Sequence, residues 1–126
     1  MNKQSLTREF MQLFNQQVRL TPTPLSVEES ETRNRLIQEE VNELVMAFYK
    51  RDIYEIADAL ADLLYVVYGT CNSCGIDINP IFEEVHRSNM TKVGGTINEY
   101  GKLIKPETYS PPNLIDLIDN QRRSWW

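Results

Sequence analysis

Apolar residues recur at three- and four-residue spacing along four stretches of this chain, and residues that start or stop helices bound each stretch. Over residues 5–19, Leu6, Phe10, Leu13, Phe14 and Val18 lie on one helical face. Thr21-Pro-Thr-Pro24 then ends that helix in a short rigid connection. Ser26-Val-Glu-Glu29 is a capping box, so a second helix runs from there to about Lys50, with Ile37, Val41, Leu44 and Phe48 as its apolar strip. Asp52, followed by Glu55 three residues on, is a second capping signal. It opens a third helix that carries Ile56, Leu60, Leu63 and Val67 and stops at Gly75, just past Cys74. The connection at Lys50-Arg51 is short, which makes these two helices antiparallel neighbours. Asn79-Pro80 opens a fourth helix with proline in the first helical position and Ile81, Phe82 and Val85 on the core side. Beyond Gly94-Gly95 the periodicity fades. Residues 100–105 read as a turn or short strand, 106–112 as extended chain and 114–121 as a short helix. Trp125 and Trp126 are expected to pack on the body or on a partner.

The acidic residues change this picture. Glu39, Glu40 and Glu43 span about 100° of the second helix, and Glu55, Asp58 and Asp62 span about 60° of the third, at about 100° per residue. Each acidic strip lies beside the apolar strip rather than opposite it. A merely solvated face belongs on the far side. Acids at the border of the core face look at the neighbouring helix, so packing the two helices brings up to six carboxylates together. Two unit charges near 4 Å repel by about 4 kcal/mol at an effective dielectric of 20. A hard divalent cation with oxygen ligands is one compensation; raised pKa values or splayed helices are another. Two ordinary charged helices with their acids in water remain the plain alternative.

Composition narrows the function classes. The chain has 126 residues, 41% hydrophobic, with a net charge of −5. One domain is expected over 1–126, with a helical core at about 5–92 and an extension at 93–126. The negative balance argues against a nucleic-acid backbone binder. No apolar run is long enough to span a bilayer, and no apolar core follows Met1-Asn-Lys-Gln-Ser, so a cytoplasmic protein is the default expectation. Cys71 and Cys74 form the only CxxC and His86 is the only histidine, so a zinc or redox module is poorly supplied. Phe10 and Phe14 could line a base pocket, although aromatics at this spacing more often serve the core. Arg33 and Arg35 stand one to two turns before the acids, where each either pairs with a glutamate or reaches a substrate phosphate. Arg87, Asn89 and Lys92 lie in a polar run that suits phosphate binding or simply a helix C-terminus.

At this point the residues resemble a known family. Glu39-Glu40-Val-Asn-Glu43 matches the EExxE motif of the all-α nucleoside triphosphate pyrophosphohydrolases, which include MazG-like proteins, dimeric dUTPases and phosphoribosyl-ATP pyrophosphohydrolase. The run from Asp58 to Gly69 resembles the second motif. Gly75-Ile-Asp, residues 84–92, Gly101-Lys-Leu-Ile-Lys105 and Tyr109-Ser-Pro-Pro112 resemble the phosphoribosyl-ATP pyrophosphohydrolase-like branch. One departure stands out. With Asp62 aligned as the aspartate of the family's ExxD, the glutamate position holds Ala59, and Asp58 or Glu55 is left to substitute.

The resemblance implies an all-α antiparallel bundle of about four helices, completed by a homodimer or homotetramer, with a mostly irregular C-terminal segment. It implies hydrolysis of a nucleoside triphosphate to the monophosphate and pyrophosphate with Mg²⁺, or Mn²⁺ in its place. Glu40, Glu43, Asp58, Asp62 and the lesser candidate Glu55 would hold metal, and Glu39 would act as base. Arg87, Asn89, Lys92 and Lys105 would bind substrate. Phosphoribosyl-ATP hydrolysis and a catalytically silent helical module are the alternatives.

Overall fold

The computed structural model describes residues 2–123. Five helices run in the order α1 (Lys3–Leu13), α2 (Val27–Lys50), α3 (Ile53–Cys74), α4 (Ile78–Met90) and α5 (Ile115–Arg123). Between α4 and α5, β1 (Thr96–Ile97) pairs antiparallel with β2 (Leu103–Ile104), Thr96 opposite Ile104. The expected all-α bundle is therefore what forms. Among the described residues no helix is long and apolar enough to cross a membrane.

The two long helices begin where their caps dictate. Ser26 Oγ accepts from the Glu29 amide at 3.1 Å, and Glu29 Oε1 accepts from the Ser26 amide at 2.9 Å. Each bond satisfies a backbone donor that a helix start leaves open. At the other end of α2, Arg51 takes a left-handed φ of 54°, and Asp52 Oδ1 at once accepts from the Tyr54 and Glu55 amides. The chain reverses within two residues, and α3 lies antiparallel against α2.

Two boundaries differ from the sequence reading. Helix α1 stops at Leu13, not near Arg19, because Phe14 leaves the helical region and Asn15 turns left-handed at φ 55°. Val18 thus lies in the connection and not on the α1 face. Helix α4 is capped by Asp77, whose carboxylate accepts from the Asn79 amide at 3.2 Å. Pro80 sits third in the helix, still within the turn whose amides lack helical partners. Trp125 and Trp126 lie outside the described residues.

Helix α3 is the centre of the packing and contacts both α2 and α1. A buried polar network joins its C-terminus to α1, α4 and α5. Gln4 Nε2 donates to Asn72 Oδ1 at 3.0 Å and to the Ile76 carbonyl, while Gln4 Oε1 accepts from the Ile78 amide. Gln121 of α5 receives the Asp77 amide at 2.9 Å and donates back to the Asp77 carbonyl at 3.0 Å. The connection between α1 and α2 is stitched to the same place. Arg19 N donates to the Asn72 carbonyl, Thr23 N to the Cys74 carbonyl, and the Arg19 guanidinium both to the Ser73 carbonyl and, in a fork, to Glu29. Beneath this strap Gly75 takes φ 71°, and a Cβ there would run into the Thr21 carbonyl.

The apolar core is small. Met11, Ala47, Ala59 and Ile81 are its buried apolar members, whereas Val45, Met46 and Phe48 of α2 and Leu60, Leu64 and Val67 of α3 stay substantially exposed. Phe10 and Phe14, expected in the core, are 40% and 65% exposed and stack on each other at 4.7 Å between ring centroids.

Candidate metal centre

The antiparallel hairpin brings carboxylates of α2 opposite those of α3. Glu40 and Glu43 are one helical turn apart, and Asp62 faces them across the crevice. One oxygen from each lies within 4.8 Å of the others. Glu40 is half-buried, and its Oε2 is shielded from water with no hydrogen-bond partner among the described residues. Burial first, then the charges of Glu43 and Asp62, the close approach of the Glu43 carboxyl and the charge of Glu39 push the Glu40 carboxyl above its ordinary range. Burial, then Asp58 and Glu43, do the same to Asp62. An acid held this way either keeps a proton or takes a cation. The donors are all carboxylate oxygens, a set that suits a hard cation such as Mg²⁺ or Mn²⁺, and the orphaned Glu40 oxygen has no partner among the described residues.

The other acids fall around this trio. Asp58, one turn from Asp62, lines an open cleft of about 400 Å³ together with Glu43, Asn42, Met46, Lys50 and Glu55. Glu55 is neutralised by Lys50, whose Nζ lies 3.2 Å from its carboxylate. That pairing, rather than a reciprocal cap, occupies the Glu55 side chain. Ala59 is buried and lines the same cleft, so the position where the resemblance places a glutamate offers no ligand. Glu39 is exposed beside Glu40. Asn42 and Lys50 also line the cleft, and their only signal in the sequence is that they share the α2 face turned toward α3.

The residues expected to bind substrate gather elsewhere, on α4 and the segment after it. Arg87 donates from Nε and Nη2 to Glu84 at 2.6 and 3.0 Å and to the Pro111 carbonyl at 3.2 Å. With the Asn113 amide also donating to it, Glu84 is held at about 2, the Arg87 hydrogen bond being the largest cause. Lys92 Nζ donates to Asn89 Oδ1 at 2.9 Å, and Lys105 Nζ lies 4.5 Å above the Tyr109 ring. The acidic cleft is lined from α2 and α3 alone, so these four side chains do not complete it within this arrangement of the chain. Cys71 and Cys74 are free thiols. Burial pushes Cys71 up to about 11, which makes it a poor nucleophile and a poor ligand at neutral pH.

A family model described as phosphoribosyl-ATP pyrophosphohydrolase matches residues 7–89, a span that includes all of α2 and α3. Uncharacterized protein L479 of Acanthamoeba polyphaga mimivirus is 50% identical over 44 residues, which is 35% of this chain and 18% of the viral protein. The aligned stretch thus spans less than a fifth of that relative's length.

Proposed function

Because the chain belongs to the phosphoribosyl-ATP pyrophosphohydrolase family, we propose that it is a divalent-metal-dependent enzyme that hydrolyses a (deoxy)nucleoside triphosphate to its monophosphate and pyrophosphate. The observation that supports this reading best is the convergence of Glu40, Glu43 and Asp62, together with a shielded Glu40 oxygen that has no partner among the described residues. Phosphoryl chemistry asks a protein for positioning and charge stabilisation more than for covalent help.

Glu40, Glu43 and Asp62 hold the cation, with Asp58 beside them. A bound Mg²⁺ or Mn²⁺ supplies neutralisation of the phosphates and acidifies a water. Glu39, exposed next to the trio, takes the proton of the attacking water. Lys50, paired only with exposed Glu55, can turn to a phosphate oxygen when substrate enters the cleft. A homo-oligomer covers the exposed apolar face of α2 and α3, and brings Arg87, Asn89, Lys92 and Lys105 to the phosphates from the neighbouring subunit. The description of the matching family favours one second reading, phosphoribosyl-ATP as the substrate.

The test is pyrophosphate release from all common NTPs and dNTPs and from phosphoribosyl-ATP, with Mg²⁺ and with a chelator. Metal-dependent release from at least one nucleoside triphosphate is expected. Release from phosphoribosyl-ATP alone would select the second reading, and no release from any substrate would overturn both.

A further inference from the structure

Arg33 stands two turns before Glu40 on the same face of α2. Seven residues at 1.5 Å each put it about 10 Å along the helix from Glu40. Its guanidinium is half-buried, and none of its five donors finds an acceptor among the described residues. Glu29, which lines a cavity with Arg33, is taken by the Arg19 fork, and the nearby Cys74 thiol is held neutral by burial. Gly69 makes room for the side chain: a Cβ there would lie 2.9 Å from Arg33 Nη1. A half-buried cation without a partner costs stability, and the cavities around it indicate what compensates. Arg33 borders a pocket of about 180 Å³ walled by Phe10, Met11, Leu36, Tyr65 and Val66, with Gln16 at its edge, which adjoins a second of about 330 Å³. Phe10 and Tyr65 meet edge to face at 5.7 Å between centroids, and both remain partly exposed to whatever enters. Leu36 and Val66 each stand one turn from a member of the trio, Glu40 and Asp62.

A pocket walled by hydrocarbon and aromatic rings suits a flat heterocycle, whereas a phosphate would lose its hydration there. A guanidinium fork at its end suits two adjacent acceptors on the edge of that ring, as on the O6/N7 edge of a 6-oxopurine. The amino group of adenine would instead meet donors with a donor. We propose that Arg33, with Phe10 and Tyr65, forms a base-recognition pocket and selects 6-oxopurine nucleotides such as those of guanine and hypoxanthine. This rests on the reading that the acidic trio receives the phosphates of the same substrate.

The test measures binding of GMP and AMP to the full chain by calorimetry in chelator, beside turnover of GTP, ITP and ATP with Mg²⁺. The wild type is expected to bind GMP more tightly than AMP. Arg33→Gln is expected to weaken GMP about tenfold to a hundredfold while leaving AMP within about threefold. Arg33→Lys keeps the charge but not the fork and should not restore GMP binding. Gly69→Ala, which pushes the guanidinium aside with its charge intact, should weaken GMP selectively as well. Thermal melts identify any variant that fails to fold. Equal losses for GMP and AMP, an unchanged GMP affinity in Arg33→Gln, or displacement of GMP by millimolar inorganic phosphate would each overturn the proposal. Arg33-dependent GMP binding without turnover of any nucleotide would support base recognition while the hydrolytic reading fell.

Discussion

Two polar regions of this molecule are built on opposite terms. Where α1, α3, α4 and α5 meet, Gln4, Asn72 and Gln121 are buried, and each exchanges hydrogen bonds with a partner that fits it. Between α2 and α3, Glu40 keeps a shielded oxygen without a donor, two acids are pushed up by burial and then by their neighbours, and Arg33 lacks an acceptor among the described residues. The first region spends its polarity on holding helices together. The second holds unsatisfied groups in place, and groups left so cost stability unless something from outside completes them. The contrast separates scaffold from candidate site without reference to any ligand.

The comparison breaks most visibly at the trio. Glu40→Gln or Asp62→Asn should lower turnover by about a hundredfold or more, since a lost cation forfeits several kcal/mol of charge stabilisation. In chelator, the same variants should melt at or above the wild-type temperature, because a repelling charge has gone. A marked fall in melting temperature would place Glu40 among the scaffold residues instead. At the other region the sign reverses. Asn72→Ala, at a position with 0% exposure, should cost about 1–3 kcal/mol by removing its hydrogen bonds with the Gln4 side chain and carbonyl from a buried place, as read by denaturant unfolding.

The smallest effect is a pH dependence that runs oppositely in the two kinds of site. Glu29 and Glu84 are each held at about 2, against an ordinary value of 4.5, chiefly by hydrogen bonds from Arg19 and Arg87. Their support is complete above the ordinary value and is lost as pH falls toward 2. The Glu40 carboxyl is displaced upward, so its contribution is present in acid and is lost as pH rises through its folded value. Melting curves should therefore show the advantage of Glu40→Gln in chelator at neutral pH and its disappearance in acid. An advantage independent of pH would contradict the repulsion argument.

What the sequence made legible was what is local. The Ser26–Glu29 box, the Asp52 cap and the Gly75 stop act within one turn, and each stands where its spacing placed it. The acidic trio was readable because a two-residue connection forces α3 back along α2. The end of α1 was not, since nothing in its apolar periodicity announces the left-handed Asn15. The Asp77 cap is masked in the sequence by Asn79-Pro80, a stronger-looking helix start two residues later. Phe10 and Phe14 kept the spacing of core residues yet stay partly exposed, since the side of α1 that is buried carries Gln4, Thr7 and Met11. Arg33 is the hardest case. Its neighbours Gly69 and Met11 come from two other helices, so its missing partner can be seen only after the chain has folded.

The strap over the end of α3 has a consequence for heredity. Every replacement of glycine brings a carbon where the Thr21 carbonyl already lies, and the left-handed backbone at Gly75 penalises that carbon a second time. Each missense change of that codon is therefore a lesion, however mild the new side chain. A saturation library passed through a selection for folding should return a single letter at this site, while the solvent-facing positions of α2 drift freely around it.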